Sequence, residues 1–197
     1  MREVELKAVV PDEAEARRRL LEAGAILVFE GTMSDRRYDT ADRALTARDH
    51  VLRLRVQRDA AGERAVVEFK GSASIVDGFK IREETGTSVG DAEAFDGILR
   101  SMGFQVTREI DREVAVFAAA GATVRLERYP RMDLLVEVEG EPAQIESAIA
   151  LLALPRASFT AEPLIAFVLR FEARTGERAA ICRREVAGDF RYRLDDA

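Results

Sequence analysis

Cysteine and histidine are almost absent from this chain: Cys182 and His50 are single occurrences in 197 residues. One cysteine excludes an internal disulfide. One histidine cannot make a His-rich metal site and argues against a Ser-His-Asp triad. CxxC, HExxH and P-loop motifs are all missing. No apolar run reaches spanning length and no signal peptide is evident, so the expected location is cytoplasmic, with no membrane contact. A basic excess is missing too. Lys and Arg number 30 against 36 Asp and Glu, a net charge of -6, which speaks against duplex nucleic acid as a partner.

What the chain does carry is charge of both signs. Charged residues make up 34% of it, above the ~25% of an average soluble protein. Hydrophobic residues make up 47%, enough for the core of one large or two small domains.

The first ten residues set the pattern. Glu3, Glu5 and Lys7 share one strand face, and Val4, Leu6 and Ala8 the other. A helix follows from Pro11-Asp12, with Asp12 as N-cap, Glu15 at the capping-box position and Gly24 as its end. A second strand is expected over 26–40, ending in Asp35-Arg36-Arg37-Tyr38-Asp39-Thr40, and a turn or short helix over 42–48. Further strands alternate over 51–56 (Arg53, Arg55), 65–70 (Glu68, Lys70) and 79–84 (Lys80, Arg82, Glu84). A helix over 91–102 has Ala92, Phe95, Ile98, Leu99 and Met102 as its stripe. Strands over 104–118 (Arg108 and Arg112 in one parity), 123–127 (Arg125, Glu127) and 134–140 (Glu137, Glu139) come next. Helices over 143–152 and 161–174 complete a domain of residues 1–176. Residues 177–197 form an extension, read as an added strand over 189–194 or a mobile end.

Each charged face stands opposite Val, Leu, Ile or Phe. If amphipathic helices cover the apolar faces from outside, the charges line the interior of an antiparallel barrel, which also removes sheet edges. An open sheet with solvated charges on one side fits the same alternation.

The ordered set resembles a known family. Glu3-Val4-Glu5-Leu6-Lys7 resembles the ExExK signature of the CYTH superfamily, the triphosphate tunnel metalloenzymes. Leu52-Arg53-Leu54-Arg55, Glu68-Phe69-Lys70, Arg82-Glu83-Glu84 and Glu137-Val138-Glu139 resemble its later motifs, in order, over about residues 1–140. The resemblance implies an α+β fold: a closed eight-stranded antiparallel β-barrel, the triphosphate tunnel, with flanking helices. It also implies Mg²⁺ or Mn²⁺ as cofactor and a triphosphate-containing small molecule as partner. Family members include thiamine triphosphatases, inorganic tripolyphosphatases, RNA triphosphatases and class IV adenylate cyclases. The chain departs from the family pattern where Ile110 replaces a lysine, Glu127 an aspartate and Arg37 an aromatic residue, and a glycine is replaced near Met132.

On this resemblance, Glu3, Glu5, Glu127, Glu137 and Glu139 are the expected metal ligands, hard oxygens suited to Mg²⁺ or Mn²⁺. Lys7, Arg53, Arg55, Lys70, Lys80, Arg82, Arg112 and Arg125 are expected to grip phosphate. Glu5, Lys7, Arg55 and Lys70 form the expected catalytic set. The expected activity is metal-dependent hydrolysis of tripolyphosphate, thiamine triphosphate or a nucleoside triphosphate. The alternatives are a class IV adenylate cyclase and a non-catalytic polyphosphate or nucleotide binder. Tyr38 and Tyr129 read as packing residues, and Glu83, Glu109, Asp111 and Glu113 as outer-face charge. The helix carrying Leu164 to Phe171 reads as cover for the barrel or as the contact of a homodimer.

Overall fold

In the computed structural model, which describes residues 2–188 and 190–193, the alternating strands close into a ring. Strand β1 (Arg2–Val9) is followed by helix α1 (Glu13–Glu22), β2 (Ile26–Asp39), β3 (Val51–Asp59), β4 (Gly62–Lys70), β5 (Ser74–Val76) and β6 (Phe79–Val89). Then come α2 (Ala92–Ser101), β7 (Gln105–Ala119), β8 (Ala122–Arg128), β9 (Leu135–Glu139), α3 (Pro142–Leu152) and α4 (Leu164–Thr175). The order around the sheet is β1-β9-β8-β7-β2-β3-β4-β6, and β6 pairs back onto β1. All pairings are antiparallel, so eight strands form a closed barrel without a free side.

The extra strand, β5, pairs only with β6. It takes over β4's place beside β6 after Gly71 and Ser72. Three residues, Ser74-Ile75-Val76, are too few for alternation to announce a strand. At Gly31 in β2, a Cβ would lie 2.0 Å from the carbonyl oxygen of Arg58, so only glycine lets the two backbones approach there.

Cover for the outer faces comes from the helices. Val4, Leu6 and Ala8 of β1, Leu126 of β8 and Val136 and Val138 of β9 pack with Leu20 of α1 and Ile145, Ile149 and Leu152 of α3. Helix α2 lays Ala92, Phe95 and Leu99 on Leu54 and Ala65. Its Ile98 and Met102, expected in the stripe, stay exposed, because β3 and β4 meet only one side of this helix. Helix α4 instead packs Phe167, Val168 and Phe171 on Ile110, Tyr129 and Leu135, residues of the inner parity, and its Leu164 joins Ile110 and Tyr129 in lining the cavity. Each buried side chain of this size stabilises the fold by about 1.5–3 kcal/mol, which offsets the cost of the charges enclosed within.

Asp12 caps α1 by accepting a hydrogen bond from the Glu15 amide at 3.0 Å. The Glu15 carboxylate does not close a capping box; it takes Arg18 and Arg19 instead. After Gly176 the chain returns to the barrel, where Ala180 exchanges backbone hydrogen bonds with Arg131 and the Asp111 amide donates to the Ile181 carbonyl. Residues 190–193 are not in a strand; 189 and 194, the ends of the expected one, lie outside the described residues.

Candidate active site

On most barrel strands the apolar parity points outward and the charged parity in, while β2 and β7 also turn Met33 and Ile110 inward beside Asp35 and Arg112. A cavity of about 480 Å³ runs inside the barrel. Its wall carries Glu3, Glu5 and Lys7 of β1, Arg53 and Arg55 of β3, Lys70 of β4 and Lys80 and Arg82 of β6. Arg112, Arg125, Glu127, Glu137 and Glu139 come from β7, β8 and β9. Every residue expected to hold metal or phosphate therefore stands on one wall. Glu83, Glu109, Asp111 and Glu113 do not line it.

Two ion-pair networks organise the interior. One joins β1 to its neighbours. Lys7 Nζ lies 2.7 Å from carboxylate oxygens of both Glu5 and Glu137, and Lys80 lies 2.6 Å from Glu5. Lys70 lies 2.9 Å from Glu3 and also pairs with Glu84. Arg125 pairs with Glu137 and lies 3.8 Å from Glu139. The other network centres on Asp35 of β2. Its two oxygens accept from Arg55 at 2.8 and 2.9 Å and from Arg112 at 3.0 Å, with Arg53 at 3.4 Å. Arg112 links the networks through Glu127 at 3.0 Å, and Tyr129 donates to Glu127 at 2.7 Å.

A family model of the CYTH domain matches residues 1–150. The chain belongs to the CYTH family. Solved structures share its fold at low identity. A candidate adenylate cyclase from Vibrio parahaemolyticus is 20% identical with a TM-score of 0.73, over 85% of this chain and 97% of that one. A protein from Pyrococcus horikoshii is 20% identical with a TM-score of 0.68, over 85% and 98%. A candidate adenylyl cyclase from Hippeastrum, described as having a dominant triphosphatase activity, is 15% identical with a TM-score of 0.63, over 89% and 96%. None of the curated proteins matches the sequence.

Charge on the CYTH tunnel wall is balanced. Among the described residues, nine cationic side chains (Lys7, Arg37, Arg53, Arg55, Lys70, Lys80, Arg82, Arg112, Arg125) face nine acidic ones, Asp35, Asp49, Glu68 and Glu84 among them. The acids are not equivalent. Burial opposes ionisation of Glu5, Glu137 and Asp35, but their lysine and arginine partners outweigh it and hold all three below the usual carboxylate range. Glu3 goes the other way. Burial, a hydrogen bond shared with Glu84 and the nearby Glu5 push it up to about 8, against the pull of Lys70. Burial also raises Glu139.

This donor set fits a hard divalent ion. Oxygens from Glu3, Glu5, Glu137 and Glu139 gather on adjacent strands β1 and β9, and Glu3 is under-compensated by the cations present. Among the described residues no three acids stand in ready-made ligating geometry, since each is drawn toward a lysine or arginine. To hold a metal, these glutamates would have to exchange ion pairs for it.

A pH dependence follows from Glu3. The folded protein keeps a proton there that the unfolded chain has released above its ordinary value of 4.5. Stability of the metal-free protein is therefore expected to fall as pH rises from about 4.5 to about 8 and then level off. Glu139 adds to the same trend, whereas Glu5, Glu137 and Asp35 act only in stronger acid. Urea titrations in EDTA at pH 5 and pH 8.5 measure this, and Glu3→Gln should flatten the slope. Added Mg²⁺ should stabilise most at the alkaline end; an unchanged slope in Glu3→Gln would remove Glu3 as its source.

Several wall residues lay outside the expected site. Asp35 was legible only as part of a strand-end motif, yet it is the hub of three arginines. Glu68 and Glu84 carried the right parity without an assigned role. Asp49 reaches Arg82 from the loop before β3, where no periodicity exists. Tyr38 packs under α2 with its hydroxyl on Asp96, but Tyr129, expected only to pack, lines the tunnel and orients Glu127.

Proposed function

We propose that this CYTH tunnel hydrolyses a triphosphate with Mg²⁺ or Mn²⁺. The observation that carries the reading is the wall itself, on which, among the described residues, nine acids stand beside nine cations. A triphosphate brings several negative charges into a space where every cation but Arg37 already has an acidic partner, so it fits when divalent ions enter with it. A module built only to hold anions needs no set of buried carboxylates on β1 and β9.

When bound, the divalent ion neutralises phosphate charge and polarises a phosphoryl oxygen. The chain's own residues do the rest. Arg53, Arg55 and Arg112, pre-set by Asp35, turn their remaining N–H groups to phosphate oxygens, and Arg125 and Lys70 close on the chain from neighbouring strands. Lys7, locked by Glu5 and Glu137 and raised above its ordinary value despite burial, stays protonated through turnover. Glu139 is held loosely by Arg125, and burial raises it toward neutral, the direction a proton acceptor for the attacking water requires.

Phosphate release from tripolyphosphate, thiamine triphosphate and ATP, with cyclic AMP assayed in parallel, tests the proposal. Phosphate should appear with Mg²⁺ or Mn²⁺, without cyclic AMP, and stop on adding EDTA. Cyclic AMP with equimolar pyrophosphate would replace the hydrolase by a cyclase. Tight binding of all three compounds with no turnover would replace it by a binding module.

A further inference from the structure

Two tunnel cations stand outside both ion-pair networks: Arg82, which pairs with Asp49, and Arg37. On the inner face of β2, Arg37 stands directly opposite Arg53 of β3 on one side and Arg108 of β7 on the other. Three arginines thus lie in one cross-strand row, an arrangement in which like charges repel. The flanking two have their own partners. Arg53 is held by Glu68 at 2.7 Å and by Asp35, and Arg108 donates to the Arg193 carbonyl. Among the described residues Arg37 forms no ion pair, and its Nε is buried with no hydrogen-bond partner. Of the two acids that flank it on β2, Asp35 is already shared by Arg53, Arg55 and Arg112, and Asp39 accepts from the Leu45 and Thr46 amides. Burial, then Arg53 and Arg108, push Arg37 down to about 9, so it stays charged at neutral pH in a place that disfavours the charge. A half-buried guanidinium whose Nε has neither solvent nor a partner is costly unless an anion completes it.

The row's position says which anion. Around the ring, β2 is four strands from β1 in either direction. Arg37 therefore faces the tunnel from the wall opposite Glu3, Glu5 and Lys7. We infer that Arg37, with Arg53, forms a second phosphoryl-end subsite opposite the acidic wall, selecting inorganic polyphosphate over organic triphosphate esters. This rests on the triphosphate reading above. An inorganic chain ends in a phosphoryl group on both sides, so one end meets the acidic wall and the other the arginine row. An ester has one such end and leaves one of the two subsites unfilled.

Two measurements test it, using Arg37→Met, which keeps the aliphatic stem, and Arg37→Lys. In EDTA, inorganic phosphate should raise the melting temperature of the parent by several degrees, the shift should vanish in Arg37→Met, and Arg37→Lys should recover part of it. In phosphate-free buffer Arg37→Met should melt no lower than the parent, because it removes a half-buried charge that has no acidic partner among the described residues. An equal phosphate shift in parent and Arg37→Met would overturn the subsite, whether or not the protein turns over any triphosphate. In kinetics, Arg37→Met should lose at least ~10-fold more kcat/KM on tripolyphosphate than on ATP, as expected for charge-assisted hydrogen bonds to one phosphoryl end, with the loss falling on KM. Equal losses on both substrates would overturn the selectivity. Absence of all turnover, with the phosphate shift intact, would remove the hydrolase and leave the subsite standing.

Discussion

Asp35→Asn is expected to melt about 10 °C below the parent protein, from a loss of roughly 3–5 kcal/mol at ~2–4 °C per kcal/mol for a chain of this size. Asp35 is 2% exposed and is the shared counter-charge of Arg53, Arg55 and Arg112. Asparagine keeps the shape but leaves three desolvated guanidiniums facing one another. Breaking such a hub by removing one partner costs more than the intact hub contributes, because the remaining charges cannot return to water. The pH behaviour has a definite sign. The three arginines hold the Asp35 carboxyl well below its ordinary range. Its stabilisation is thus complete above the ordinary carboxylate pKa and is lost as pH falls through the lowered one. The gap between parent and Asp35→Asn should therefore be constant from pH 5 to 8 and narrow only in strong acid. Glu22→Gln, at an exposed helical pair, should stay within ~0.5 kcal/mol of the parent. A melting temperature for Asp35→Asn within a degree or two of the parent would show that the arginines do not depend on this carboxylate.

Glu5→Gln should abolish metal-dependent turnover, lowering kcat/KM by ~10³-fold or more, while the circular dichroism spectrum stays that of the parent. Glu5 lies on β1 opposite Glu139 of β9, in register, and its carboxylate accepts Lys80 at 2.6 Å and approaches Lys7 at 2.7 Å. Glutamine can still accept a hydrogen bond from Lys80. It cannot supply a negative oxygen to a divalent ion, and Lys80 is left without its charge partner. Titration calorimetry with Mn²⁺ should show binding weakened by ~10-fold or more. Undiminished turnover in Glu5→Gln would sink the metal site on β1 and β9; lost turnover with unaltered Mn²⁺ binding would move Glu5 from the ligand set to substrate positioning.

Alternation in the sequence carried much of this site. Glu3, Glu5 and Lys7, Arg53 and Arg55, Glu68 and Lys70, and Lys80, Arg82 and Glu84 each show period two against apolar neighbours, and all stand on the wall. Parity alone could not say whether those faces meet water or one another. That depended on ring closure between β6 and β1 and on the helices covering the outer faces. Asp35 and Arg37 were harder to read because β2 mixes them with Met33 and shifts register against β7 after Arg37. The extra residue at that shift is Thr107 of β7, while Tyr38 reaches α2 by ordinary alternation after Arg37. Asp49 and β5 escaped for a simpler reason, since a loop residue and a tripeptide carry no period.

The closing pair of the barrel also dictates when it can exist. β1, made first, finds one neighbour in β6 and the other in β9, whose last residue is Glu139. During synthesis the opening strand therefore waits, with one edge unsatisfied, until β9 has emerged through Glu139. Contacts so distant in sequence make closure a slow, late step and expose pairing edges meanwhile. Glu3 and Glu5 sit on that waiting strand, and Glu137 and Glu139 arrive with the strand that seals it. A nascent fragment that ends before β9 cannot assemble the acidic wall, so the wall forms in the same event that pairs the last free edge of β1.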